Sequence, residues 1–400
     1  MSQFTLTICR EPDQDYPVLQ KLLEEFHQQQ PSYPKVEVRP ISWGEYRNEV
    51  VGVAIHNKAG DVSQIGAPLV SDLLAMNALR PFSAAEMNQM GGEAAFASAA
   101  WESAQRQSDG HVYSLPWLAD PRVIFYWRDM LDQAGVDAET AFQTEENLIE
   151  ALSRLQASGT KNPWLLTAGH KHSAIHSVSS WIWAAGGNFV SEDGKTALFM
   201  EPKGLAGLKA YFSMIRFMSP ESHTADYSLN NKLFASRKSA IIQGNLETAN
   251  YIINNTPAAE MRSNLGIALP FGVPYVGGSS LVIWSKSRIN EQAAVSLAQF
   301  LTGKTVQSVY PASIGLLPVR LDVLNEPPYT TDPILQGFSE AIRQGRVFPI
   351  TKLSGLLEEH LGNALVEIWK TLASDTTADL DTLITSKLGL IARRYNNWFE

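Results

Sequence analysis

At 400 residues the chain exceeds what one hydrophobic core ordinarily organises, and two domains are expected. A hydrophobic fraction of 44% with 18% charged residues excludes a disordered chain, and no apolar run is long enough to cross a bilayer. The net charge of -9 argues against nucleic acid as a main partner, and the lone Cys9 excludes an intrachain disulfide while leaving the redox compartment open.

Phe4-Thr-Leu-Thr-Ile8 alternates as a strand, with no basic and apolar leader before it, so no signal peptide is visible. After the polar turn at 10–15, Val18, Leu19, Leu22, Leu23 and Phe26 recur at helical spacing. Val36–Pro40 reads as a second strand ending near Trp43 and Tyr46, and Asp61–Ile65 as a third, followed by the Gly66–Val70 loop. Strands alternating with helices point to an open, largely parallel sheet, with ligands beyond the carboxyl ends of the strands. Arg10, Trp43 and the Gly66–Val70 loop stand at such ends. For Arg10, exposed on a turn, a surface role and a ligand role are equally open.

The run 111–127 reads as a crossing strand, a bend at Pro116-Trp117, and a second strand from Val123. Thr144 precedes Glu145 and Glu146 as a helix cap, with Leu148, Ile149, Leu152 and Leu155 as the buried stripe. Ala293, Ala294, Leu297, Phe300 and Leu301 repeat that pattern, as do Leu380, Leu383, Ile384, Leu388 and Ile391. There is no internal repeat, low-complexity stretch or long linker. Ten tryptophans are unusual; most are expected in cores, and some as flat apolar walls.

Several short segments then act together as markers. They are the strand and helix through Phe26, Trp43-Gly-Glu-Tyr46, and Val112–Trp117 with Phe125–Leu131. Trp183–Gly187, Phe234–Ile241, Val276–Gly278, Tyr310–Pro318 and Gly345–Pro349 follow in order. In that order and spacing the chain resembles the extracellular solute-binding proteins of ABC transporters. The class is the sugar-binding one (family 1), with its maltose-, trehalose- and oligosaccharide-binding members. The resemblance implies an α/β, two-lobed periplasmic-binding-protein fold of type II, each lobe discontinuous, with the ligand cleft between lobes. By matching motifs, the lobes are expected at 1–112 plus 276–322 and at 113–275 plus 323–400. It further implies a monomer, in the periplasm or at the cell surface, that closes on a hinge around a sugar and docks on permease subunits. No cofactor or metal is implied. For the absent signal peptide the expectation is a mature domain with a new initiator Met, the alternative being that the protein is not exported by the usual route.

A sugar offers apolar C–H faces and a rim of hydroxyls, which call for flat rings and for polar groups acting in pairs. Trp43 and Trp117 are the stacking candidates. Asp120 and Arg122 follow the presumed bend, where a carboxylate and a guanidinium can grip adjacent hydroxyls; the competing reading is a local ion pair. His176 and Trp181 lie where family members place ligand-facing groups. His170, His172 and His176 also invite a zinc reading, against which the set lacks a Cys or carboxylate partner. Gly277 and Gly278 allow close backbone approach, as does Gly244, and Arg346 fits a polar ligand or hinge contact. Two departures from the family stand out. Asn245, itself counted among the ligand-binding candidates, and Leu246 follow Gly244 where many members have Trp, and Leu353–Leu357 lacks the aromatics often found there.

A glycosidase is the main rival reading, and Asp120 with Glu247 is the one carboxylate pair that could be nominated for it. No serine triad signature, P-loop or zinc-hydrolase motif is present. A ligand sensor on the same fold is the third reading.

Overall fold

The computed structural model describes residues 4–11, 16–42, 45–56, 60–102, 104, 111–285, 287 and 291–399. Among them nine strands are found. In the first half of the chain they are β1 (Phe4–Cys9), β2 (Val36–Ile41), β3 (Val62–Gly66), β4 (Ser114–Pro121) and β5 (Val123–Trp127). Later come β6 (Trp164–Leu165), β7 (Ile241–Gly244), β8 (Leu265–Ala268) and β9 (Val276–Ile283). One sheet has the order β2-β1-β3-β9-β4, the other β6-β7-β5-β8.

The chain divides into two compact units. The first is Met1–Ala119 with Gly278–Tyr329 and Ile350–Gly355; the second is Asp120–Gly277 with Thr330–Pro349 and Leu356–Glu400. The changes of unit fall at 119/120 inside β4, 277/278 inside β9, 329/330, 349/350 and 355/356, against sequence expectations of 112/113, 275/276 and 322/323. Residues 113–119 belong to the first unit because their side chains fill its core, as Trp117 illustrates below. The brief return at 350–355 is fastened by the Gly355 amide, which donates to Asp72 Oδ1 at 3.3 Å. Asp72 also pairs with Arg47 at 2.9 Å.

In the first unit, β1 pairs in parallel with β2 and with β3, as the alternating strands and helices predict. β9 then joins β3 antiparallel, so the sheet is mixed rather than uniformly parallel. The helix Pro17–Gln29 buries Leu19, Leu22, Leu23 and Phe26 along one stripe. Each such side chain stabilises the fold by about 1.5–3 kcal/mol. Ile41, Tyr46, Ile65, Leu73, Val282 and Trp284 form a core cluster in the same unit.

The bend expected at Pro116-Trp117 is absent: β4 runs unbroken through both residues, and the chain leaves it only at Arg122. The sheet order explains this. β4 is an edge strand, and at an edge a proline without an N–H need not remove a ladder bond.

In the second unit β5 lies antiparallel to both β7 and β8, and only β6 and β7 run parallel. Thr144 caps the helix Glu145–Ala157 as expected, its hydroxyl accepting from the Asn147 amide at 3.2 Å. Leu148, Leu152 and Leu155 of that helix join Trp164, Trp181, Tyr211, Phe212 and Trp369 in one large core. Most of the tryptophan surplus is thus consumed by packing. No described helix is long and apolar enough to cross a membrane.

Candidate functional site

In the second unit, Arg122 stands at the turn between β4 and β5, its amide tied to the Tyr275 carbonyl at 2.8 Å. Its side chain is almost fully buried. Nη1 meets Asp120 Oδ1 at 2.7 Å, while Nη2 lies 2.9 Å from His176 Nδ1 and 3.4 Å from the Tyr227 hydroxyl. Ser173 donates its own hydroxyl to Tyr227 at 2.7 Å. Burial alone would lower the pKa of Arg122, but the charges of Asp120 and then Tyr227 raise it, so the guanidinium stays charged. A buried charge demands such partners.

That geometry fixes the proton on His176. Arginine can only donate, so Nδ1 accepts and Nε2 carries the hydrogen of a neutral ring. Burial, then the Arg122 charge, then His172 and His170, push its pKa well below the ordinary value. Glu358 approaches Nε2 only to 3.9 Å, too far for a hydrogen bond, and with a neutral imidazole this is not an ion pair.

His176 also begins a column of flat groups. Its ring stacks on Tyr275 with centroids 4.3 Å apart, Tyr275 lies nearly parallel to Trp183 at 6.3 Å, and the Arg346 guanidinium sits 4.8 Å over Trp183. Residues 176 and 183 are seven apart on the helix Lys171–Ala184, two turns along one face. Tyr275 is pushed to a higher pKa by burial first and by Glu358 second, which keeps its hydroxyl protonated.

On the other side of Asp120, the Asn245 side-chain amide donates to Asp120 Oδ1 at 3.0 Å. Asn245 caps the helix Leu246–Asn255, its Oδ1 accepting from the Thr248 amide. Glu247, in the first turn of that helix, is exposed, yet crowding by protein and then the Asp120 carboxylate raise its pKa. The second unit therefore presents one carboxylate, Asp120, held by a buried cation and suited to hydroxyls, while Tyr275 and Trp183 of the adjoining column are themselves buried.

The family of bacterial extracellular solute-binding proteins matches residues 21–337. The chain belongs to that family. Among curated relatives, the solute-binding protein is 23% identical over 272 residues to the maltotriose-binding protein of Pyrococcus abyssi, covering 65% of this chain and 56% of that one. It spans between 56% and 64% of the length of the first curated relatives it matches. Its fold is that of the sugar-binding protein MalE of Xanthomonas citri, with a TM-score of 0.82 at 18% identity over 100% of this chain and 97% of that one. The GacH receptor of Streptomyces glaucescens, solved unliganded and with acarbose, gives 0.77 at 18% identity, with both chains covered in full.

The solute-binding protein brings Asp120, Arg122, His176 and Asn245 into one network, and puts Arg346 on the adjoining column. It does not offer Trp117 or Trp181 to a ligand. Trp117 is fully buried in the first unit, stacked on Tyr310 at 5.1 Å with its Nε1 donating to the Leu301 carbonyl at 3.1 Å. Trp181 is turned away from the column by the helical period and packs edge-on against Phe271. Both are core rings, and each has its faces covered by protein.

Gly277 and Gly278 serve a close approach, but one of strand to strand. A Cβ on Gly278 would lie 2.0 Å from the Leu118 carbonyl oxygen, and its φ of +147° is glycine's own. A Cβ on Gly277 would meet the Tyr275 ring at 2.9 Å. Arg10, in the first unit, is half-buried, its amide donating to the Ile41 carbonyl at 2.9 Å. Trp43 lies outside the described residues. His170 and His172 have ring centroids 5.5 Å apart, and among the described residues no group of three His, Cys, Asp or Glu side chains is set to hold a metal.

Tyr227, Tyr275, Trp183 and Glu358 are the contributors that sequence reasoning did not single out. Tyr275 directly precedes the Val276-Gly-Gly marker, and Trp183 opens another, so both could have been found. Tyr227 and Glu358 come from helices whose pattern carries no such flag.

Proposed function

We propose that this protein is the substrate-binding component of an ABC importer, which captures a neutral mono- to oligosaccharide and hands it to membrane permease subunits. The observation that carries this reading is Asp120 held by Arg122 and Asn245 beside the His176–Tyr275–Trp183 column. A carboxylate acceptor held in place beside the packed column complements the hydroxyl rim of a sugar. The buried cation is already matched by Asp120, which disfavours an anionic ligand. Membership of an extracellular binding family, and a maltotriose-binding relative, support the sugar class. A monomer in the periplasm or at the cell surface, binding without turnover, belongs to the same proposal.

The test is a thermal-shift screen against mono-, di- and oligosaccharides, polyols and amino acids. At a hundredfold excess over Kd a ligand adds about 2.7 kcal/mol, a rise of roughly 5–11 °C for a unit of this size. One sugar class is expected to give that rise, and Asp120→Ala to remove it. A rise with amino acids alone, or release of shortened glycans during incubation, would sink the assignment.

A further inference from the structure

Asn245 follows Gly244 at the end of β7 and is buried, at 6% exposure. Both ends of its amide act within the protein. Nδ2 donates to Asp120 Oδ1 across 125 positions of sequence, while Oδ1 accepts from the Thr248 amide at 3.2 Å and from the Thr248 hydroxyl at 3.4 Å. Gly244 keeps this turn tight, since a Cβ there would lie 2.6 Å from the Thr248 hydroxyl. Asp120 Oδ1 thus takes both Asn245 and Arg122, and its Oδ2 has no hydrogen bond among the described residues. With 20% of the Asp120 side chain exposed, Oδ2 is the oxygen free to meet a ligand.

We propose that Asn245 is a positioning residue: it ties the N-terminus of the helix Leu246–Asn255 to Asp120 and so aims Asp120 Oδ2 at the bound ligand, without touching the ligand itself. The ligand class rests on the carbohydrate reading above; the positioning role does not. Asparagine is the residue that meets both demands. Serine caps a helix but is too short to reach Asp120, and aspartate caps equally well but lacks the N–H donor.

That difference supplies the experiment. Maltose, maltotriose and trehalose are titrated by calorimetry into wild type, Asn245→Ser and Asn245→Asp between pH 8 and pH 5. Freeing Asp120 makes the ligand bear the cost of ordering that side chain, which weakens binding roughly two- to tenfold. Asn245→Ser is expected to lose that much throughout. Asn245→Asp should lose it at pH 8 and recover at pH 5, where the new carboxyl and Asp120 share a proton and the donor returns. Arg122, Glu247 and Tyr275, the charged or titratable groups facing Asp120, are common to all three proteins, so the wild-type profile subtracts their effect.

Unchanged affinity in both variants overturns the proposal, as does a loss in Asn245→Asp that acid does not reverse. If no sugar in the panel binds wild type, the carbohydrate reading fails and positioning is read without ligand. Asp120→Ala, Asn245→Ser and the double variant are then compared by urea unfolding. Non-additive midpoints uphold the coupling, and additive ones refute it.

Discussion

Replacing His176 with Asn tests the buried network through its response to acid. The amide oxygen of Asn can stand where Nδ1 stands and accept from Arg122, but it does not titrate. In wild type the folded-state pKa of His176 is depressed by burial, by Arg122 and by His172 and His170, whereas the unfolded chain titrates near 6.5. Below that pH the unfolded state binds a proton that the folded state refuses. Stability is therefore full above about pH 6.5 and falls as the solution is acidified, by about 1.4 kcal/mol per unit. Between pH 6.5 and pH 5 that slope sets a ceiling of about 2 kcal/mol on the loss from His176, or roughly 4–8 °C in Tm. His172, held at about 4 by burial and by His170, contributes a similar slope. Urea unfolding of wild type and His176→Asn at pH 7.5, 6.5, 5.5 and 5.0 separates the two. The variant starts less stable, because stacking on Tyr275 is lost, and its curve should be flatter, by up to about 2 kcal/mol over the acid range. Parallel curves would refute a neutral, buried His176.

Gly278→Ala forces a Cβ against the Leu118 carbonyl oxygen at a φ only glycine adopts freely, so it should cost about 3 kcal/mol or more, read as a lowered unfolding midpoint. A variant as stable as wild type would mean that β4 and β9 are not so close there. Trp117→Leu should cost about 2–4 kcal/mol by calorimetry while leaving sugar affinity within twofold. A large loss of affinity at unchanged stability would return Trp117 to the ligand.

Local periodicity carried much of the fold. The strand at Phe4, the helix stripe through Phe26 and the cap at Thr144 all follow from short-range patterns, and they appear where those patterns put them. What short patterns could not express is neighbourhood. Pro116 reads as a break until β4 is known to be an edge strand, and Trp117 reads as a platform until Tyr310 and Leu301 cover it. The polar network was half legible for the same reason. Asp120 and Arg122 announce themselves as a pair two residues apart, while Tyr227 reaches Arg122 through long-range packing. The role of Asn245 needed both the helix it caps and the strand end it faces.

The pairing of β3 with β9 sets a timetable for synthesis. Gln64 and Ser279, which meet across these strands at 2.8 Å, are 215 residues apart. At the usual ribosomal pace of 5–20 residues per second, β3 waits roughly 10–40 s for its neighbour. Throughout that interval its outer edge is a row of unpaired amides and carbonyls, the arrangement that recruits stray strands from other chains. The nascent protein is most exposed to aggregation during this wait. A trigger that slows elongation before residue 279 should lower the soluble yield more than the same pause placed after residue 300.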